Sequence, residues 1–260
     1  MLRPGGVTIA EVLRHAWSRL IRKQWLILYP LALAVINTLA FFAIYASNGG
    51  SLNWTAFFTA NANRWEYVQD RFLTGFSFTP TLGVAVFVGL SVCVLAAMIR
   101  APYFRAVASL GYPLAPRRRE DAARLSLFYV LANLVVWVLP LAVPAGSALT
   151  QIVGFAVLVV AILIAFVDYI IVFEEMALLP AIRRSIQLFT RRWITVVVIF
   201  VLIQLIYLGI YSLYDLYYQK ATRLFVLLPV SQMLVEAFVV LCVDLVLIFL
   251  YEQIRRQSAS

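Results

Sequence analysis

Three acidic residues lie where acids are costly. Asp168, Glu236 and Asp244 fall inside long apolar stretches. A charge at the centre of a bilayer costs about 2.5–3.5 kcal/mol on insertion scales. A residue kept at that cost is a candidate for function, and what an acid can do there is bind a proton or a cation. Glu236 and Asp244 are eight residues apart in the chain. On a helix this puts them on nearby faces, about 12 Å apart along the axis. The functional reading of the three acids is a proton or cation path through a helical bundle. A structural reading competes at each position. Asp168 would pair with a basic residue such as Arg184. Glu236 would face water at the mouth of a tilted helix. Asp244 would accept an interhelical hydrogen bond from Ser91, Asn133 or a tyrosine. Glu174 and Glu175 are expected to pair with Arg183 or Arg184.

Other chemistry finds little support. The single histidine, His15, falls on the polar face of an amphipathic segment and reads as solvated. No nucleophile carries the signature of a catalytic triad. Cys93 and Cys242 have no C-x-x-C partner, so they read as packing residues rather than zinc or redox ligands. No P-loop or G-x-G-x-x-G run is present. A membrane enzyme of lipid metabolism could hold a metal only at Asp168, Glu174 and Glu175, and the nearby arginines neutralise that group more simply. The chain is expected not to be an enzyme, with no metal and no cofactor.

The elements that must carry these residues follow from composition. The 260 residues are 64% apolar and 13% charged, with a mean hydropathy of +0.94. Soluble domains are about 45–50% apolar and about 25% charged, so a water-soluble globule is excluded. Disordered, collagen-like and disulfide-stapled chains are excluded too, because only 11 Gly, 10 Pro and 2 Cys are present. The expected fold is all-α: a polytopic transmembrane helical bundle forming a single integral membrane domain, 1–260. A span needs about 20 residues to cross roughly 30 Å of hydrocarbon. Six stretches qualify: 25–46, 81–99, 126–143, 149–173, 193–214 and 225–251. Pro144 and Gly146 lie between spans three and four and predict a tight hairpin. The first stretch is too long for a cleaved signal peptide and is expected to stay as an anchor. No span carries a Gly or Pro break at its centre, which weighs against the discontinuous helices of transporters.

Charge sets the expected orientation. The formal charge is +9, but the basic residues are not spread like a nucleic-acid footprint. Arg3, Arg14, Arg19, Arg22 and Lys23 precede span one. Arg100, Arg105, Arg117, Arg118, Arg119 and Arg124 fall between spans two and three. Arg183, Arg184, Arg191 and Arg192 fall between spans four and five, and Arg255 and Arg256 follow span six. Only Arg64, Arg71, Lys220 and Arg223 are left for the opposite side. This is the positive-inside pattern, and it predicts both termini in the cytoplasm of a multi-pass protein of the inner (plasma) membrane. Anionic lipid headgroups are the expected partners of Arg14, Arg19, Arg22, Lys23, Arg183, Arg184, Arg191 and Arg192. Nucleic acid is not an expected partner.

Two segments read as amphipathic interfacial helices on the cytoplasmic side. In 8–22, Ile9, Val12, Leu13, Ala16, Trp17, Leu20 and Ile21 recur on one helical face, opposite basic and polar residues. In 175–193, Leu178, Leu179, Ile182, Ile186, Phe189 and Trp193 form the apolar stripe, and Arg183, Arg184, Gln187 and Arg191 stay polar. The two align without gaps at an offset of 168, with Trp25 opposite Trp193. A weaker third copy precedes span three at 117–125. The alignment suggests three units of one surface helix plus two spans. The alternative is that any interfacial helix leading into a span has this pattern.

The run Asp168-Tyr-Ile-Ile-Val-Phe-Glu-Glu, followed by Ala181-Ile-Arg-Arg-Ser-Ile-Gln-Leu and Arg191-Arg-Trp, resembles a bacterial six-span family. These are the relatives of the membrane domain of glycerophosphodiester phosphodiesterases. The ending Leu250-Tyr-Glu-Gln-Ile-Arg and the opening 7–31 are similar to theirs as well, so the likeness covers most of the chain except 47–80. It implies a membrane fold and no established activity for that domain alone. The phosphodiesterase itself is a separate soluble barrel of about 250 residues, for which the spans leave no room.

The outer loop, 47–80, carries Trp54, Phe57, Phe58, Trp65, Tyr67, Phe72, Phe76 and Phe78. A helix over 56–71 could lie on the outer leaflet, as a lid over the bundle or as a docking surface. The expected function is that of a non-enzymatic accessory or membrane-organising factor, associating with another membrane protein or with a second copy. The alternative is a transporter or permease subunit that moves a small or lipidic solute with its intramembrane acids.

Overall fold

The computed structural model describes residues 24–50, 52–60, 62–63, 80–108, 118–135, 148–220 and 227–259, together with Arg14, Ser18 and Ile21. A 3₁₀ turn at Gln24–Ile27 leads into α1 (Leu28–Ser47). It is followed by α2 (Trp54–Thr59), α3 (Pro80–Ala108), α4 (Arg118–Asn133), α5 (Ala148–Leu163) and α6 (Val167–Phe173). The chain ends with α7 (Leu178–Arg191), α8 (Trp193–Lys220) and α9 (Leu227–Ala259). Every regular element among the described residues is helical.

Local sequence accounts for the helix starts. Pro30, Pro80, Pro180 and Pro229 all fall in first turns, where a missing amide costs nothing. α1 stops at Ser47, and Gly49 then takes a positive φ of 75°. Gly50 is required by space, because a Cβ there would sit 2.5 Å from the Tyr45 carbonyl oxygen. Hydroxyls inside the helices are hidden against their own backbone. Thr38 donates to Ala34, Ser91 to Phe87 and Ser126 to Ala122.

Among the described residues, five helical stretches are long and apolar enough to cross a membrane: Gln24–Ser47, Gly83–Val107, Gln151–Phe173, Trp193–Tyr218 and Leu227–Arg255. The chain is therefore a helical, multi-pass membrane protein. Its exposed surface agrees with this, since Phe87, Phe155, Ile152, Leu208 and Leu205 are all more than half exposed. A stretch expected at 126–143 is described only as far as 135, as α4 and two further residues in π-helical form. The hairpin at Pro144 and Gly146, and most of the first amphipathic segment, lie outside the described residues. So do Arg19, Arg22 and Lys23, which leaves the three-unit repeat without its first copy.

Several expected boundaries move. The second stretch does not end at 99. It continues through α3 to Ala108, carrying Arg100 and Arg105 into the helix. The last stretch runs on to Ala259, and the fifth to Lys220. The fourth is not continuous: α5 ends at Leu163, and α6 begins only at Val167.

The main core gathers at the end of the bundle where the arginines collect, called here the basic end. It joins Leu26, Tyr103, Phe104, Leu125, Leu188, Leu241, Ile248 and Tyr251 around α6. Val167 to Val172 are all buried, as expected for a short helix apolar on nearly every side. A second, smaller cluster caps the far end. There Phe57 and Phe58 of α2 pack with Tyr45, Phe41, Phe42, Tyr218 and Met233. Trp54 stacks on Phe42 at 4.3 Å, so these loop aromatics fold down onto the bundle.

Candidate functional site

The break between α5 and α6 has an identifiable cause. Between Ile164 and Phe166 the backbone tightens, with Val167 N–H bonding to the Ile164 carbonyl. Neither Gly nor Pro occurs there, so the absence of those residues did not exclude a discontinuity. The freed groups are taken up by another helix. Ser185 Oγ of α7 donates to the Leu163 carbonyl at 2.7 Å and accepts from Phe166 N–H at 3.3 Å. Ser185 can reach them because Ala181, Ser185 and Leu188 line one fully buried face of α7. Two of these three residues are small, which lets the helices approach closely. Leu179 and Trp193 of the expected apolar stripe are well exposed.

This break places Asp168 in the first turn of α6, close to Arg100 of α3 and Asp244 of α9. Arg100 Nη1 lies 3.3 Å from Asp168 Oδ2, and Nη2 lies 3.5 Å from Asp244 Oδ1. The same Nη1 reaches the Tyr129 hydroxyl of α4 at 3.4 Å. The guanidinium carbon stands over the Phe104 and Tyr129 rings at 5.5 and 5.8 Å. The Tyr169 hydroxyl donates to Asp244 Oδ1 at 3.2 Å, while its amide donates to Asp168 Oδ1 at 3.0 Å. Arg100 is seven residues inside its apolar stretch, about 10 Å by helical rise. One cation thus faces two buried carboxylates, ringed by Tyr103, Tyr129 and Tyr169.

A second charged layer lies nearer the basic end. Glu174 accepts from the Tyr251 hydroxyl at 2.6 Å and faces Arg184 at 3.7 Å and Arg255 at 3.6 Å. Arg105 pairs with Asp121 and lies 3.7 Å from Glu175. Burial pushes the Asp121 carboxyl above the usual aspartate range, against the opposing pull of Arg105. Glu175 has a φ of 54°, a left-handed conformation unfavourable for a side chain. Arg124 holds this turn by donating to the Glu175 carbonyl at 2.7 Å.

The sequence-predicted residues therefore separate. Asp168 and Asp244 come together, and Glu236 does not join them. It accepts from Gln232 Nε2 at 2.8 Å, and Gln232 in turn accepts from the Tyr218 hydroxyl at 2.8 Å, toward the far end. Asp168 pairs with Arg100 rather than Arg184. Asp244 takes Tyr169 among its expected partners, because Ser91 and Asn133 are engaged elsewhere; Asn133 bonds to the Tyr129 carbonyl and to Cys93 Sγ. Glu174 finds Arg184 as expected, whereas Glu175 finds Arg105. Arg14, Arg183, Arg191 and Arg192 are exposed, and Arg184 turns partly inward.

Arg100 is the member that sequence reasoning missed. The charge pattern places Arg100 between spans two and three, whereas it lies within α3. The signal was the apolar run after it, Ala101 to Val107, interrupted only by Pro102 and Arg105. No metal-holding group of His, Cys, Asp and Glu occurs among the described residues. No known family model, curated protein or solved structure matches this chain.

Proposed function

We propose that this protein is a transporter or permease subunit for a small or lipidic solute, working through the Arg100, Asp168 and Asp244 cluster. The observation that carries the reading is the meeting of two carboxylates from separate helices on one arginine within the apolar stretches. The broken α5–α6 segment beside them supports it, because discontinuous helices commonly build binding sites inside membranes. In this reading α4 and the residues after it supply a sixth span. Both termini face the cytoplasm, and the membrane is the inner membrane of a bacterium. The likeness to the membrane domain of glycerophosphodiester phosphodiesterases fits this architecture.

The test uses vesicles reconstituted with the full chain and a radiolabelled cell extract outside. Uptake by the wild type should be lost in Asp244→Asn and in Asp168→Asn. Equal uptake by wild type and both variants would overturn the reading.

One observation favours a second reading, the non-enzymatic accessory or membrane-organising factor. Asn37, Gln151 and Gln204 are exposed on apolar helices. Polar side chains on such faces serve as glue between membrane helices. A second copy or another membrane protein would cover them, with α7 and its arginines lying against lipid headgroups. Crosslinking from Gln204→Cys separates the readings: a crosslinked partner combined with absent uptake would favour the accessory role.

A further inference from the structure

Asp168 and Asp244 share one arginine, but their oxygens are not equally served. Asp168 Oδ2 faces Arg100, and Oδ1 accepts the Tyr169 amide. Both oxygens therefore meet donors, which suits the ionised form. Asp244 Oδ1 meets Arg100 and the Tyr169 hydroxyl. Asp244 Oδ2 is buried and has no hydrogen-bond partner. The Tyr103 hydroxyl is also buried without one. The residues are 4% and 1% exposed. The Tyr103 hydroxyl lies within reach of Asp244, but only as a poorly aligned donor. A tyrosine hydroxyl brings a dipole but no charge, so an ionised Asp244 in this dry interior still carries a high desolvation cost.

The charge balance points to what is missing. The groups around Asp244 are Arg100 and Tyr103 of α3, Tyr129 of α4, Asp168 and Tyr169 of α6, and Tyr207 of α8. With both aspartates ionised, the cluster has an excess of one negative charge. One added positive charge removes it. A metal cation would need several more oxygen ligands than Asp244 Oδ2 and the Tyr103 hydroxyl provide. A proton needs only one oxygen and would turn Oδ2 into a donor aimed at Tyr103.

We propose that Asp244 is a proton-binding site: Oδ2 takes up one proton from water, and the resulting carboxylic acid donates to the Tyr103 hydroxyl oxygen. Arg100 then keeps Asp168 as its full counter-charge. This rests on the transport reading above and names its coupling ion as the proton.

The experiment is infrared difference spectroscopy on the full chain in lipid nanodiscs, stepped from alkaline to acidic pH. The expected result is a carboxylic C=O band that appears on acidification and moves to lower frequency in D₂O. Asp244→Asn should remove it and Asp168→Asn should keep it. Tyr103→Phe should move it to higher frequency, because the acceptor is gone. Absence of the band, loss of it in Asp168→Asn alone, or an unmoved band in Tyr103→Phe would each overturn the proposal. If Asp244→Asn does not fold, Tyr103→Phe decides alone. The transport reading fails separately. An intact band with uptake that ignores Asp244 rejects transport and leaves the proton site. Uptake that depends on Asp244 without any band rejects the proton.

Discussion

The two ends of this bundle are held by different physics. At the basic end, Arg100, Asp168 and Asp244 tie α3, α6 and α9 together, and the Glu174 layer lies outside them. At the far end, Trp54, Phe57 and Phe58 are pressed against Phe42, Tyr45 and Tyr218. Ring contacts are short-ranged and tolerant of small shifts. A buried ion cluster is not, since each charge depends on a partner at one distance. The comparison teaches that the chain places its costly polar atoms where helices are interrupted and its forgiving contacts where a loop closes over the bundle.

The sharpest way to break the contrast is Arg100→Ala. It leaves two carboxylates buried without a counter-charge, and loss of one partner from a buried pair costs about 3–5 kcal/mol. Thermal melting in mild detergent should show the largest fall of any single change, and uptake should vanish with it. Phe57→Ala, at the other end, removes a fully buried ring and should cost about 3 kcal/mol. Vesicle uptake per folded molecule should survive it, however. If Phe57→Ala abolished uptake while Arg100→Ala spared it, the division of roles would be reversed.

Ser185→Ala comes next. It strands the Phe166 amide and the Leu163 carbonyl in a buried position, for about 1–3 kcal/mol. Hydrogen exchange should rise locally at 164–168, and Ser185→Thr should restore part of the protection. Tyr218→Phe is the mildest. It deletes the donor to Gln232, worth about 0.6 kcal/mol for a hydrogen bond between membrane helices. A melting shift as large as that of Arg100→Ala would mean that Glu236 and Gln232 matter more than the cluster at the other end.

Much of this is legible in the sequence alone. The apolar stretches are long, and their count of charges is low, so membrane helices follow from composition alone. Asp168 and Asp244 stand out because their neighbours are Val, Ile and Leu. Arg100 does not, because an arginine at the end of a stretch looks like an anchor for lipid headgroups. Its role depends on α3 continuing past Pro102, and a proline in sequence cannot show whether the helix goes on. The break at 164–166 was invisible for a related reason. Its cause is not in Ile164, Ala165 or Phe166 but in Ser185, which offers an alternative partner to the backbone. The pairing of small Ala181 and Ser185 on one face is present in the sequence, yet neither belongs to the stripe of large apolar residues.

Ser185 joins two parts of the molecule that meet different surroundings. Its helix turns Arg183, Gln187 and Arg191 outward, while its hydroxyl grips the interrupted segment two residues ahead of Asp168. Any force that drags α7 along the surface is delivered as mechanical load to the peptide groups that aim the acid. The side chain of one serine thus acts as a coupling pin, making α7 a handle for the buried charges.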